Sequence, residues 1–277
     1  MIHPNYISMT KICFTQVKND PKTSKKLRKI ELILQNAKRR KAEIICFGES
    51  FPIETNDSTS QKKAIQKMKE LSKKYHIAII AGSTNKLHNQ AIFFNHGKII
   101  GSQLKCHFFA NERRQMKGQD FRTFKFKNWR IGMLICYDLF FPEPTRYLQE
   151  KGADIVFCLT HAFEGQTFWK SLAVVRSMEN QLPLVTSGII ERKHKISGIG
   201  ILALPNSKIV ELPRDRETIR VIDVDLGKWN EYRKLKSNLK ITPAEYISKG
   251  LHGPNIKDIN TIFLKKYVAQ LIRKIGK

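Results

Sequence analysis

Residues 10–17 read TKICFTQV, residues 43–48 read EIICFG and residues 77–82 read IAIIAG. Each is a short, mostly apolar run of the kind that forms a buried strand. The segments between them, Ser24–Lys41 and Gln61–Tyr75, instead carry apolar residues at helical spacing, and we expect Ser24 to cap the first helix. The first 82 residues therefore predict the order β-α-β-α-β, which is typical of an α/β protein with largely covered strands.

Beyond residue 90 the pattern changes to successive strands with two helical segments among them. We expect hairpins within 91–105, 123–136 and 198–212, and helices at 142–151 and 168–180. We place one domain at residues 1–228 and a basic C-terminal extension at residues 229–277, in which residues 259–275 predict an amphipathic helix. The sequence leaves open whether this extension packs on the same domain or on a partner subunit.

The chain is strongly basic: 50 Lys and Arg against 24 Asp and Glu give a net charge of +26 over 277 residues. Such a charge favours anionic partners and non-specific contact with nucleic acid. The basic residues are spread along the chain, however, and no nucleic-acid recognition motif accompanies them. We interpret them as a solvated cationic surface. Because no apolar stretch could span a bilayer and no signal-peptide pattern is present, we expect a cytoplasmic protein without membrane contact.

The cysteine pattern predicts free thiols and no metal. The five cysteines, at positions 13, 46, 106, 136 and 158, include no CxxC pair, and four lie in apolar runs. An odd number of such cysteines indicates a reducing compartment. Cys106 and His107 together resemble half of a metal site, but no second pair stands at ligand spacing.

Three residues of reactive types each end a predicted strand: Glu49, Lys105 and Cys136. Taken singly, each has an ordinary structural interpretation. The cysteine could be core packing, the lysine an edge residue and the glutamate a solvated loop residue. Taken together they suggest chemistry, because the ends of strands in an α/β sheet gather at the edge where sites form.

The surrounding motifs follow one another in a fixed order over residues 10–225. They are Thr15-Gln16, Phe47-Gly48-Glu49, YHIAIIAGS at 75–83, Asn89-Gln90-Ala91, GKIIGSQLK at 97–105 with His107, IGMLICYDLFFPE at 131–143, Gly152-Ala153-Asp154, Arg176 with Glu179-Asn180, and Gly198 with Pro205. In these motifs the chain resembles the nitrilase superfamily, also called the carbon–nitrogen hydrolases. Two departures stand out: the family usually has proline where Gly48 precedes the glutamate, and the residues beyond 230 do not match its usual ending.

The resemblance implies a four-layer α-β-β-α sandwich and a cysteine hydrolase that needs no metal or organic cofactor. Cys136 would be the nucleophile, Glu49 the general base, and Lys105 with the backbone N–H of Tyr137 the stabilisers of the oxyanion. Glu112 matches a second glutamate that many members carry near the site, although it could also be an ordinary loop residue. A thiolate, an ammonium and a carboxylate suit this chemistry, because an amide carbon requires a strong nucleophile.

The motifs suggest a substrate but do not specify it. The resemblance to amidase and carbamoyl-amine branches favours a small linear amide or N-carbamoyl compound over a nitrile. Arg176 would either bind a substrate carboxylate or form a structural pair with Glu179 or Asp138. Candidate substrate-binding residues are His107, Phe140, His161, Phe163, Trp169 and Arg176. We expect a homodimer or higher homo-oligomer. The rival hypothesis is a catalytically idle scaffold that binds an anionic partner such as nucleic acid.

Overall fold

The computed structural model describes residues 9–109, 112 and 115–237. The helix predicted at 259–275, and all of the predicted extension beyond residue 237, lie outside this part of the chain. The domain boundary expected at residue 228 therefore stays a prediction.

The described residues form thirteen strands. They are β1 (Met9–Lys18), β2 (Ile44–Cys46), β3 (Pro52–Glu54), β4 (Ala78–Thr84), β5 (Asn89–Asn95), β6 (Lys98–Leu104), β7 (Thr123–Phe126), β8 (Trp129–Ile135), β9 (Ile155–Thr160), β10 (Leu184–Ile190), β11 (Ile201–Ala203), β12 (Ile209–Glu211) and β13 (Thr218–Asp225). The helices are α1 (Thr23–Arg39), α2 (Ser58–Tyr75), α3 (Pro142–Glu150), α4 (Trp169–Asn180) and α5 (Leu226–Ser237). Short 3-10 turns lie at Cys136–Phe140 and Arg192–His194.

The predicted β-α-β-α-β order is confirmed, and its strands are parallel. β2 pairs with β1 on one side and with β4 on the other, both in parallel. The hydrogen-bonded order of the main path is β6-β5-β4-β2-β1-β10-β9-β8-β7, with antiparallel pairing at the two ends. β13 pairs antiparallel with β1, and β11 and β12 extend from β10.

The two halves of this strand order fold against each other to give four layers. Phe93 of β5 makes an edge-on ring contact with Phe126 of β7, although these strands lie near opposite ends of the order. Strand β1 is covered on both faces. Its Phe14 belongs to the core between the half-sheets, whereas its Cys13 packs with Leu34 of α1. The expected α-β-β-α sandwich is therefore confirmed.

Helices α3 and α4 cover the outer face of the second half-sheet. Gly132 of β8 allows the close approach of α3, since a Cβ atom there would lie 2.8 Å from a methyl carbon of Leu148. Trp169 and Ala173 of α4 are almost completely buried. Among the described residues, no helix combines the length and apolar character that crossing a membrane requires.

Two helix starts differ from expectation. Ser24 does not cap α1, because the helix begins at Thr23, one residue earlier. The residue at the cap position is Lys22, whose side chain makes no capping hydrogen bond. The backbone N–H of Lys22 donates a hydrogen bond to Oδ1 of Asp20. Helix α2 begins three residues before the predicted Gln61, because the Asp57 carboxylate accepts hydrogen bonds from the N–H groups of Thr59 and Ser60. Strand β3 was not predicted, since it has only three residues and starts with a proline.

Candidate active site

Glu49, Lys105 and Cys136 lie in one pocket, as their positions at the ends of strands predict. Glu49 follows β2, Lys105 follows β6 and Cys136 follows β8. β6 runs in the same direction as β4 and β2, because β5 separates it from β4 by two antiparallel pairings. The pocket has a volume of about 440 Å³, and its lining also includes Glu112, Asn89, His161 and the two rings of Phe109 and Phe163.

The ammonium of Lys105 holds two carboxylates together. Its Nζ donates hydrogen bonds to Oε1 of Glu49 and to Oε1 of Glu112, each at 2.8 Å. Glu49 and Lys105 are both almost completely buried, whereas Glu112 is partly exposed. Glu112 thus lies in one network with Glu49 and Lys105, and it lines the same pocket as Cys136.

Asn89, to which the sequence assigned no role, completes this network. Its Nδ2 donates to Oε1 of Glu49 at 2.8 Å and to Oε1 of Glu112 at 3.1 Å. Asn89 begins β5, and the hydrogen bond from the Lys105 N–H to the Asn89 carbonyl fixes the two strand ends together. The sequence offered one signal for this role of Asn89, namely its position as a polar residue between a turn and an apolar strand.

The site keeps Glu49 ionised. Burial alone raises the pKa of Glu49, but the positive charge of Lys105 and the hydrogen bonds from Lys105 and Asn89 outweigh burial, so the pKa is lowered. Burial also disfavours the charged form of Lys105, yet the charges of Glu49 and Glu112 and the hydrogen bond to Glu112 raise its pKa overall. The resting pair is therefore a carboxylate beside an ammonium, and the carboxylate is able to accept a proton.

Cys136 has a strained backbone and a neutral thiol. It opens the 3-10 turn after β8 with φ of +46°, a conformation that non-glycine residues rarely adopt. Its side chain is 8% exposed, and Sγ lies 3.8 Å from the carbonyl oxygen of His161. Burial and the nearby charge of Glu49 raise the pKa of the thiol, and the charge of Lys105 offsets only part of this effect. Nucleophilic attack therefore requires removal of the thiol proton by a base.

Asp138 binds the two loops that carry Lys105 and Cys136, a role that the sequence did not reveal. It is completely buried within the turn that Cys136 opens. Its Oδ1 accepts hydrogen bonds from the N–H groups of Cys106 and His107 at 3.1 and 2.8 Å, and its Oδ2 accepts one from Ile135 at 3.0 Å. One side chain thereby fixes the residues that follow the lysine and the residue that precedes the cysteine.

Of the candidate substrate-binding residues, only His161 and Phe163 line the pocket. Nε2 of His161 is buried and has no hydrogen-bond partner in the described part of the chain. His107 faces a different cavity, with its ring stacked on Phe141 and its Nδ1 3.0 Å from Oδ1 of Asp138. The aromatic rings of Phe140 and Trp169 pack edge-on against each other outside the pocket lining.

The expectation that Arg176 binds a substrate carboxylate is not supported, because its guanidinium is occupied by the protein. It donates to the carbonyl oxygens of Leu139 and Phe140 at 3.2 and 2.9 Å, and to Oε1 of Glu179 at 3.1 Å. Arg176 is buried and does not line the pocket. The structural alternative with Glu179 is therefore the one observed.

The replacement of proline by Gly48 has a steric reason. A Cβ atom at position 48 would lie 2.8 Å from the carbonyl carbon of Gly188 in β10 and 2.9 Å from Cγ2 of Ile189. Such contacts are too short to be relieved by a side-chain rotation, because one partner is backbone. Glycine therefore allows β10 to pack directly against the residue that precedes Glu49.

The described residues hold no cluster of three or more His, Cys, Asp or Glu side chains suited to a metal ion. The site is thus built from a thiol, an ammonium, two carboxylates and an amide. These groups suit acyl transfer: a thiol for attack, a carboxylate for proton transfer, and a fixed positive charge for a developing oxyanion.

Similar proteins are found by comparison of the sequence and of the fold. The family model described as "Carbon-nitrogen hydrolase" matches residues 12–234. A nitrilase from Pyrococcus abyssi is 26% identical over 240 residues, covering 79% of this chain and 90% of the relative. A deaminated glutathione amidase from Synechocystis is 26% identical over 264 residues, covering 81% and 95%. The crystal structure of an amidase from Nesterenkonia sp. shares the fold, with a TM-score of 0.74 at 19% identity over 85% of this chain and 98% of the amidase.

Proposed function

Because the chain belongs to the carbon–nitrogen hydrolase family, we propose that it hydrolyses a non-peptide C–N bond in a small linear amide or N-carbamoyl compound. The reaction would pass through a thioester on Cys136 and release ammonia or an amine. The observation that carries this proposal is the burial of Glu49, Lys105 and Cys136 in one pocket, with a lowered pKa for the carboxylate and a raised pKa for the thiol.

In the first step Sγ of Cys136 attacks the substrate carbonyl carbon while its proton passes to the Glu49 carboxylate. The C=O π electrons move to oxygen, and the ammonium of Lys105 and the N–H of Tyr137 stabilise the negative charge. Glu49 then returns the proton to the substrate nitrogen as the C–N bond breaks. A thioester and a free amine or ammonia result.

In the second step Glu49 deprotonates a water molecule that attacks the thioester carbonyl. The C–S bond breaks, the carboxylic acid leaves, and the proton on Glu49 returns to the thiolate of Cys136. Glu112 and Asn89 keep Glu49 and Lys105 oriented through both steps by the hydrogen bonds that they share. The same geometry thus serves acylation and deacylation.

We favour amides over nitriles. The deaminated glutathione amidase relative and the amidase of shared fold both act on amides by name, whereas the Pyrococcus relative is named a nitrilase. The N-carbamoyl alternative rests on the motif around Cys136.

The test is ammonia release from a panel of amides, N-carbamoyl compounds and nitriles, with Cys136→Ala as the inactive variant and Cys158→Ala as the matched control. Cys158 is a fully buried thiol on the neighbouring strand β9. We expect release by the wild type and by Cys158→Ala, no release by Cys136→Ala, and an acyl adduct on Cys136 by mass spectrometry. Absence of release from every compound, together with salt-sensitive binding of RNA or DNA, would favour the idle-scaffold hypothesis instead.

A further inference from the structure

Two exposed phenylalanine rings form the mouth of the catalytic pocket. Phe109 is 41% exposed and Phe163 is 43% exposed, and both line the cavity that contains Cys136. Their ring centroids lie 6.1 Å apart, and Phe109 also contacts Tyr137 edge-on at 5.4 Å. Large apolar side chains at a pocket mouth stay in contact with water unless a ligand covers them. This ring pair is therefore suited to binding an apolar group.

The floor of the same pocket is polar. Glu49, Asn89 and Lys105 are buried there and are bonded to one another, so they offer little apolar surface to a substrate. The amide that reacts with Cys136 must lie at this floor, whereas a substituent of the amide would extend towards the rings. A cavity of about 440 Å³ has room for such a substituent beyond the reacting group.

The backbone around both rings is held in place before any ligand binds. The N–H of Phe109 donates to Oε2 of Glu112 at 2.7 Å, and the other oxygen of that carboxylate binds Lys105. Phe163 forms an isolated β-bridge with Ile196, and its N–H donates to Oε1 of Gln166 at 3.2 Å. Glu112 thereby connects the position of one ring directly to the lysine at the pocket floor.

We infer that the preferred substrate carries an aromatic or branched apolar substituent, which lies across Phe109 and Phe163 while the amide lies beside Cys136. The two rings contact each other, so the substituent lies over the pair and not between them. This inference rests on the proposed hydrolysis of amides and adds the class of substrate. The substituent belongs either to the acyl part or to the amine that leaves, and the test below separates these two sources.

The test compares kcat/KM for acetamide, phenylacetamide and N-benzylacetamide. We expect kcat/KM for one of the two benzyl compounds to exceed that for acetamide by about tenfold or more. A preference for phenylacetamide would place the substituent on the acyl part, and a preference for N-benzylacetamide would place it on the amine. The Phe109→Ala and Phe163→Ala variants should each reduce that ratio several-fold. Phe168→Ala is the matched control, since Phe168 is similarly exposed, at 40%, and packs instead on Phe140 and Trp169. It should leave the ratio unchanged.

Binding to Cys136→Ala, measured by calorimetry with the same three compounds, provides a readout that does not need turnover. Equal kcat/KM values for acetamide and both benzyl compounds would overturn the inference while leaving the proposed function intact. Succinamic acid is added as a fourth substrate, and a higher kcat/KM for it than for the benzyl compounds would also overturn the inference, since its carboxylate would point to the exposed Lys86 at the same mouth. If neither an amide nor an N-carbamoyl compound is hydrolysed, the proposed function fails, and ring-dependent binding of a benzyl compound to Cys136→Ala would still support the ring pair.

Discussion

The buried carboxylate of Asp138 accepts a hydrogen bond from the backbone N–H of Cys106 at 3.1 Å. Cys106 directly follows Lys105, and Asp138 lies two residues after Cys136. The two chain segments that carry Lys105 and Cys136 are therefore joined by a side chain that belongs to neither residue. Because Asp138 also accepts from Ile135 and His107, its replacement should disturb both loops together.

Asp138→Asn should lower kcat about 10- to 100-fold with little change in KM, since small displacements of catalytic groups are costly. The asparagine side chain keeps one acceptor oxygen, but its NH₂ group would face a backbone N–H that needs an acceptor. This mismatch should also lower the free energy of unfolding by about 1–3 kcal/mol. Steady-state kinetics and urea unfolding measure the two effects. Asp223→Asn, which loses an exposed ion pair with Lys11, is the control. An unchanged kcat in a destabilised Asp138→Asn protein would show that Asp138 supports the fold alone.

Glu49→Gln should have opposite effects on hydrolysis and on alkylation of the thiol. Loss of the general base should lower kcat/KM for an amide by about 10²- to 10⁴-fold. The negative charge of Glu49 helps to raise the pKa of Cys136, however, so its removal should lower that pKa and move the pH dependence of iodoacetamide alkylation to lower pH. Mass spectrometry identifies the alkylated residue.

Lys105→Met should have the opposite effect to Glu49→Gln on the alkylation of Cys136. The ammonium lowers the pKa of the thiol, so its loss should raise that pKa and slow alkylation at a given pH. Parallel shifts in the two variants, in either direction, would contradict the electrostatic description of the site.

Much of this arrangement could be predicted from the sequence, because it depends on local patterns. Each of Glu49, Lys105 and Cys136 ends a predicted strand, and the β-α-β-α-β order brings the ends of parallel strands to one edge. Helix α2 shows where this reasoning fails: its start depends on Asp57, a cap that lies outside the apolar periodicity.

The hydrogen-bond partners of Asn89 and Asp138, and those of Arg176 other than Glu179, could not be predicted for a different reason. Each of the three side chains acts through hydrogen bonds to residues that are distant in the chain, and periodicity carries no information about such partners. The sequence therefore located the reacting groups, whereas the structure was needed to identify the residues that hold them.

Asn89→Ala should move the acid limb of the pH profile. The hydrogen bond from Asn89 helps to lower the pKa of Glu49, so the carboxylate of the wild type should stay ionised to below the ordinary value of about 4.3. Without this donor the pKa rises, and activity should be lost at a higher pH as the solution is acidified. The dependence of kcat/KM on pH measures the shift. Asn85→Ala, on the neighbouring turn, should leave the acid limb in place, and identical profiles for wild type and Asn89→Ala would contradict the prediction.

Arg176→Met distinguishes a positioning role from a substrate-binding role. The guanidinium donates to the carbonyl oxygens of Leu139 and Phe140, close to the nucleophile turn, so its loss should leave buried acceptors unpaired. We expect the free energy of unfolding to fall by about 1–3 kcal/mol. Because the turn that carries Cys136 would loosen for every substrate, kcat/KM should fall by the same factor for butyramide and for succinamic acid.

Arg146→Met is the matched control, since within the described part of the chain the Arg146 side chain makes a single long hydrogen bond, of 3.4 Å, to the carbonyl oxygen of Glu179. A loss confined to succinamic acid in Arg176→Met, expressed as a higher KM, would mean instead that the guanidinium binds a substrate carboxylate. That result would require Arg176 to leave its three protein acceptors during turnover. The ratio of the two substrates therefore decides between the roles without depending on how far the variant is destabilised.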